Sequence, residues 1–398
     1  MDTDVVKAVT SLTSRWARTL SPGNTVVSGL GLWPLLALLA TAADEPGRSE
    51  LAAATGVQAD GAAAKAVELI QTVDDVADLH AALGVWLHQQ LKLSESFDSV
   101  IPTDVTGTLT GDLAADKAKL DAWAAEHTDN LIREMPIEVT PDLAVVLASA
   151  LSLKTTWVLP FKEQLRRLYD GPWSGTSSGT SWHWLERTDR DLDTVRLYDA
   201  PGAGRLTVIT VAGDADVDVL LGFGSPEAAQ SDVLGALVES SYEPTGGQSG
   251  SVLVEKGERG DEVAPGIRIG ATTDPTPDVK LSLPSFSVKV EHDLLAQREL
   301  FGLTAVTSDP GPSGHFSAIS PEPLVVGQAK QTVLARFFAT GFEAAAVTAV
   351  GLRRASMPTH QARRLDVTLD RPFGFVAVHR ESRLPVVAGW LAEPTEPE

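Results

Sequence analysis

Gly341-Phe342-Glu343-Ala344-Ala345-Ala346-Val347-Thr348-Ala349-Val350-Gly351 is a run of small, nearly uncharged residues, and a basic, proline-marked segment follows it. Two readings compete for it. Ala344 to Ala346 are strong helix formers, which allows a surface helix. The alternative is an extended run. Successive side chains of a strand point to opposite faces. Phe342, Ala344, Ala346, Thr348 and Val350 then share one face, and Glu343, Ala345, Val347 and Ala349 the other. The single charge points away from the face that turns inward. The rest of the chain decides between the two.

Composition narrows the class. At 398 residues the chain can bury a large core, and 43% hydrophobic content is that of a globular protein. No stretch approaches the roughly 18 apolar residues of a membrane span; the apolar run Leu30 to Ala43 is too short. Met1-Asp2-Thr3-Asp4-Val5-Val6 lacks a basic region followed by an apolar one, so no signal peptide is expected. The expected location is the cytoplasm if Met1 is native, and extracellular if an export segment was removed. The chain has no cysteine, which excludes disulfides, thiolate metal sites and a cysteine nucleophile. Its 53 acidic and 32 basic residues give a net charge of −21, which disfavours nucleic-acid and anionic-membrane partners. Arginine outnumbers lysine 21 to 11 and alanine is abundant, the composition of a high-GC bacterial source, with an actinobacterium the expectation.

Patterning along the chain alternates two regimes. Val5, Val6, Val9, Leu12, Trp16 and Leu20 recur at helical spacing over residues 4–19, and Ser21-Pro22-Gly23-Asn24 stops that helix. Val26-Val27-Ser28 is a short strand that opens a second helix, Leu30 to Ala43, apolar all round and therefore buried. A more exposed helix is expected over Asp60 to Leu79, a strand over Leu83 to Leu93, and another helix from Ser94-Glu95-Ser96-Phe97. An amphipathic helix follows over Leu113 to Ile132 and a long apolar strand over Leu143 to Leu153. Strands dominate the second half, at Thr194–Leu197, Arg205–Val211, Val217–Phe223, Val279–Pro284 and Thr332–Phe338. Leu294 to Phe301 reads as a short helix ended by Gly302. Gly171–Ser181 and Glu243–Gly266 have loop composition, and residues 392–398 form a polar tail. Helices first and strands later give an α+β class.

The order of short motifs adds a resemblance. Val26-Val27-Ser28-Gly29-Leu30-Gly31-Leu32 resembles the "V-V-F-S-P-x-S-x" with which serpins open their buried helix. Leu120-Asp121-Ala122-Trp123 through Thr128-Asp129-Asn130-Leu131-Ile132 is similar to "I-N-x-W-V-x-x-x-T-N-G-x-I". Leu151-Ser152-Leu153-Lys154-Thr155-Thr156-Trp157-Val158-Leu159-Pro160-Phe161 is similar to "x-x-F-K-G-x-W-x-x-P-F". Leu283-Pro284-Ser285-Phe286 with Leu300-Phe301-Gly302, His315-Phe316-Ser317-Ala318-Ile319-Ser320, and Asp370-Arg371-Pro372-Phe373-Gly374-Phe375 continue the series in family order. The chain is thereby identified as a member of the serpins. The resemblance implies one domain over 1–398, three β-sheets with about eight or nine helices, and an exposed reactive-centre loop over about 339–364.

The resemblance also implies the activity. The protein is expected to inhibit a serine protease, not to be an enzyme: cleavage of the loop gives an acyl-enzyme, and the loop then inserts into the large sheet. The hinge maps onto Gly341, Phe342, Glu343, Ala344, Ala345, Ala346, Val347 and Thr348, with Phe342 in place of the usual threonine and Ala339 in place of a usual glutamate. Family spacing places the reactive bond between Ala355 and Ser356, for an elastase-like or subtilisin-like target; a loop one residue shorter puts it between Arg354 and Ala355, for a trypsin-like one. Trp157, Ser28, Ser149 and Gln331 fall in the region where the sheet opens, Gln331 replacing a histidine and so keeping hydrogen bonds without titration. The inhibitor is expected to be a monomer with no cofactor and no metal. Glycosaminoglycan activation is not expected, because Glu68, Asp74, Asp75 and Asp78 surround Lys65 where activated members carry a basic helix.

Other classes leave weaker traces. Gly175-Thr176-Ser177-Ser178-Gly179 fits the nucleophile pattern G-x-S-x-G, but in a Ser/Gly/Thr loop without the strand and helix it requires. Asp214, Asp216 and Asp218 alternate like a calcium loop, yet no glycine turn and distal glutamate follow, so they read as the solvated face of a strand. A serpin fold that binds or chaperones without inhibiting is the remaining alternative.

Overall fold

The computed structural model describes residues 1–77, 79–97, 101, 105–167, 173, 181–242, 246–309, 311–312, 314–342 and 362–395. Among them the chain forms seven α-helices and twenty strands. The first helix, Thr3–Ala17, buries Val5, Val6, Val9, Leu12 and Trp16, as their spacing requires. Strand β1 (Thr25–Val27) leads into the helix Gly29–Ala42, of which eleven residues are buried. Its N-cap is Ser28, whose hydroxyl accepts from the Gly31 amide. Two more helices, Gly47–Thr55 and Ala62–Asp74, precede β2 (Leu79–His88) and β3 (Thr106–Leu109). The helix Leu113–His127 is capped by Asp112 and followed by β4 (Val145–Leu153) and β5 (Thr155–Thr156).

The second half is mostly strand. It runs β6 (Lys162–Arg166), β7 (Trp182–Asp189), β8 (Val195–Ala200), β9 (Gly204–Ala212) and β10 (Val217–Phe223), then the helix Gln230–Tyr242. After β11 (Gln248–Ser249) and the helix Gly250–Lys256 come β12 (Glu262–Ala264), β13 (Ile267–Thr272), β14 (Asp278–Pro284) and β15 (Phe286–Asp293). The chain ends with β16 (Lys330–Phe337), β17 (Gly341–Phe342), β18 (Ala362–Thr368), β19 (Phe373–His379) and β20 (Pro385–Leu391).

These elements form four hydrogen-bonded sheets, in the orders β1-β20-β19-β10-β9-β8-β11, β12-β13-β18-β14-β7-β6, β15-β16-β17-β5 and β3-β2-β4. The chain divides into two compact units of interleaved segments. One comprises Met1–Trp16, Ser28–Leu153 and Lys289–Leu334, the other Ala17–Val27, Lys154–Val288 and Ala335–Glu398. In the first, β2 pairs antiparallel with β4, from Leu79↔Leu153 to Leu87↔Val145, and the helix Leu113–His127 sets Leu120 and Ala124 against Trp86, Val146 and Ala148. In the second, every residue of β10, β19 and β20 is buried, so the middle of the seven-stranded sheet is covered on both faces. No helix among the described residues is long and apolar enough to cross a membrane.

Several expectations need correction. The strand expected over Leu83 to Leu93 lies at Leu79–His88, because Gln89 and Gln90 already turn. Leu294 to Phe301 holds only a 3₁₀ turn, Leu294–Gln297, capped by Asp293 and followed by the positive-φ Gly302. Glu243–Gly266 is no simple loop: it carries the helix Gly250–Lys256, whose Leu253 and Val254 are buried, and the strands β11 and β12. The helix expected over Asp60 to Leu79 is confined to Ala62–Asp74. Of the three alternating aspartates, Asp218 is buried because Arg380 and the Gly213 amide satisfy it.

Candidate functional site

The hinge begins inside a sheet. After β16 the chain turns at Phe338 to Gly341, closed by the Phe338 amide donating to the Gly341 carbonyl at 2.9 Å. Phe342 then pairs antiparallel with Phe337 on one side and Thr155 on the other, while Gly341 pairs with Thr156. Phe342 is 3% exposed. The large side chain at this position is therefore already packed where β17 starts.

The segment Trp157 to Phe161 grips that turn. The Trp157 indole donates to the Phe338 carbonyl at 2.9 Å. The Phe161 amide donates to Ala339 at 2.8 Å and the Trp157 amide to Thr340 at 3.0 Å. Three consecutive carbonyls of the turn are thus satisfied from one short segment, so the turn has little freedom to unwind. Beneath it, Trp157, Phe161 and Phe337 pack with ring centroids 4.7–6.3 Å apart, and Phe286 stacks on Phe337 at 5.4 Å. On the far side, the Val158 amide donates to Ala212 and Trp157 bridges Gly213. Gly213 must lack a side chain, because a Cβ there would collide with the Val217 carbonyl and the Thr155 hydroxyl. Asp214 accepts from the Thr156 hydroxyl and amide, and the hydroxyl bond holds its carboxyl below the ordinary range.

A second constellation lies in the other unit. Gln331 closes a two-bond ring with the backbone of Ser28: its amide group donates to the Ser28 carbonyl at 2.9 Å, and its side-chain oxygen accepts the Ser28 amide at 3.1 Å. The Ser149 hydroxyl donates to the Gly31 carbonyl. Ser28, Ser149 and Gln331, distant in sequence, therefore meet around the N-terminus of the buried helix. Gly31 leaves the room, since a Cβ on it would crowd the Gln331 side-chain nitrogen.

Downstream of the loop, β18 is held on both edges. It pairs antiparallel with β13 from Ile267↔Val367 to Thr272↔Ala362, and parallel with β14. Arg364 forks onto Asp278 at 2.6 and 2.7 Å, and Asp278 is 3% exposed. Arg363 donates to the carbonyls of Val254, Glu255 and Gly257 at the end of the helix Gly250–Lys256.

Of the residues singled out in the sequence, Gly341, Phe342 and Trp157 meet at one site, and Ser28, Ser149 and Gln331 at another. Glu343 to Thr348, the bond at Ala355-Ser356, the alternative at Arg354-Ala355, and Gly175 to Gly179 lie outside the described residues. Sequence reasoning missed Gly213 and the hinge-side role of Asp214. A glycine followed by an acid is a common turn signature, and nothing local marks its partner 58 residues upstream. Among the described residues no cluster of three or more His, Asp or Glu is arranged to hold a metal.

A model of the family described as serpin (serine protease inhibitor) matches residues 7–170 and 269–394. The chain is 23% identical over 436 residues to a serpin-Z6C of Oryza sativa subsp. japonica, covering 98% of each sequence. Among solved structures it is similar to thyroxine-binding globulin in complex with thyroxine, at 15% identity, 99% coverage of each chain and a TM-score of 0.71. Serpin48 of the insect Tenebrio molitor, described as a highly specific serpin, is similar at 16% identity, the same coverage and a TM-score of 0.71. These likenesses establish the fold. The stretch between the matched segments holds β7 to β12 and the start of β13.

Proposed function

The chain belongs to the serpin family, and on that premise we propose that it inhibits a serine-type endopeptidase as a suicide substrate. The observation that carries the reading is β17: the strand that an inserting loop must extend has already begun, with Phe342 in register against Phe337 and Thr155. The protease serine attacks the carbonyl of Ala355. The bond to Ser356 breaks, Ser356 leaves as a free amine, and the Ala355 acyl group stays esterified to the enzyme. The upstream loop then lengthens β17 along β16. About 14 residues at roughly 3.3 Å each carry the enzyme some 45–50 Å before water reaches the ester. With Ala355 before the cut, the targets are elastase-like or subtilisin-like proteases with small primary pockets. With Arg354 there, they are trypsin-like. The inhibitor acts as a monomer and needs no cofactor.

The test is a small panel of serine proteases of each pocket type. A complex that survives denaturing electrophoresis, together with a released peptide beginning at Ser356, is the expected result. A peptide beginning at Ala355 moves the specificity to Arg354. Loop cleavage by every protease without any trapped complex overturns inhibition and leaves a non-inhibitory binding protein on the same fold.

A further inference from the structure

Arg187, on β7, is buried with its side chain 4% exposed. Its one ion pair among the described residues, to Asp189, is long at 3.8 Å. Its Nη1 donates to the Leu159 carbonyl at 3.1 Å, its Nη2 reaches the Thr210 carbonyl at 3.5 Å, and its Nε finds no partner among the described residues. The guanidinium also lies over the Phe161 ring at 4.8 Å. Burial pushes the group below its ordinary pKa, against the weaker pull of Asp189. Such a charge is a poor source of stability, since replacing a buried ionic group by an apolar one of similar volume is often neutral or stabilising. Both of its firm contacts fall on the segment that grips the hinge turn: Leu159 through its carbonyl, and Phe161 through its ring.

We propose that Arg187 is a positioning residue of the loop hinge, fixing the segment Trp157 to Phe161 so that the turn Phe338 to Gly341 stays rigid while β17 lengthens. The proposal rests on the inhibitory reading for its consequence, though not for its geometry. Loop insertion competes with hydrolysis of the acyl-enzyme. A pivot that gives under load slows insertion, and a larger share of inhibitor ends as cleaved product. The charge earns no such role from its ion pairing; the hydrogen bond to Leu159 and the cation–π contact with Phe161 are the directional parts.

The test compares the full chain with Arg187→Met, which keeps volume and removes the charge, and Arg187→Lys, which keeps a charged donor on a flexible stem. Hydrogen exchange at the Trp157 and Phe161 amides reads the grip directly. Exchange about tenfold faster in Arg187→Met is expected, the protection lost with one charge-assisted hydrogen bond. Arg187→Lys should fall between it and the unaltered protein, with the midpoint of global unfolding unchanged in both. With a protease that the unaltered protein traps, Arg187→Met should raise the inhibitor consumed per enzyme trapped, at an unchanged rate of loop cleavage. Unchanged exchange at the two amides, in either folded variant, overturns the proposal. A lowered unfolding midpoint with an unchanged trapping ratio also overturns it, because Arg187 is then merely structural. If the unaltered protein traps no protease, the inhibitory reading fails while the exchange arm still decides the role of Arg187.

Discussion

The register of Phe342 sets the facing that an inserted hinge would take. Phe342 sits opposite Phe337, and the buried residues of β16 are Val333, Ala335 and Phe337. Directly opposed residues of an antiparallel pair project from the same face. If β17 is continued in that register, Ala344 meets Ala335, Ala346 meets Val333 and Thr348 meets Gln331. Ala346→Arg then buries an unpaired charge, at a cost on the order of several kcal/mol, and the expected outcome is a plain substrate. A titration of protease with this variant checks it: an unchanged stoichiometry means the inward face is misassigned. Asp214 gives a pH prediction at the same scale. Its folded carboxyl titrates below the ordinary 3.8 because the Thr156 hydroxyl and amides donate to its charged form. A lowered folded pKa adds stability that is complete above 3.8 and lost as pH falls through the folded value. Asp214→Asn should therefore lower the unfolding midpoint at neutral pH, and the gap should close under strong acid. A gap independent of pH removes the charge from the account. Trp157 and Ser28 fell within family motifs, whereas Ser149 and Gln331 were placed only by the resemblance as a whole. Arg187 was not legible, because its partners at Leu159 and Thr210 are 28 and 23 residues away and leave no local spacing.

Among the elements, β18 is the firmest test of how much a strand depends on one buried pair. Arg364→Ala leaves Asp278 charged, 3% exposed and without its fork, which should destabilise the protein by about 3–5 kcal/mol. The paired replacement Arg364→Met with Asp278→Leu should recover most of that loss. Thermal or denaturant unfolding of the three variants checks both statements. Gln331→Leu probes the buried helix: it removes two side-chain hydrogen bonds to the Ser28 backbone, at about 0.5–1.5 kcal/mol for each bond lost. That helix was readable because Gly29–Ala42 is apolar all round, which only burial explains. The helix Gly250–Lys256 was not, because four glycines (Gly246, Gly247, Gly250 and Gly257) and two serines surround a single apolar turn, Val252-Leu253-Val254, and packing overrides weak local preference. Leu294 to Phe301 shows the opposite error: the leucines at its two ends suggested a helix across Gln297-Arg298-Glu299, and only one 3₁₀ turn forms.

For the molecule as a whole, the inhibitory reading carries a thermal prediction. A cut within residues 343–361 frees the upstream loop to continue β17, and each added ladder bond contributes about 0.5–1.5 kcal/mol net. The nicked protein should therefore melt well above the intact one. Equal melting temperatures for the two forms point to a fold that does not insert its loop. The class, the buried helix and the strand-rich second half were legible from pattern; the division into interleaved segments was not, because hydrophobic periodicity records which face is buried and not which distant strand covers it. That interleaving has a consequence for biosynthesis. Strand β10 pairs with β9, made just before it, and on its other edge with β19, made about 150 residues later. At about 5–20 residues per second, β10 leaves the ribosome and waits roughly 8–30 s for that neighbour. Through that interval an apolar strand destined for the middle of a sheet has an open edge, the form in which nascent chains pair with one another. Growth conditions that speed elongation or lower the concentration of nascent chain should thus raise soluble yield more than any change to the finished protein's surface.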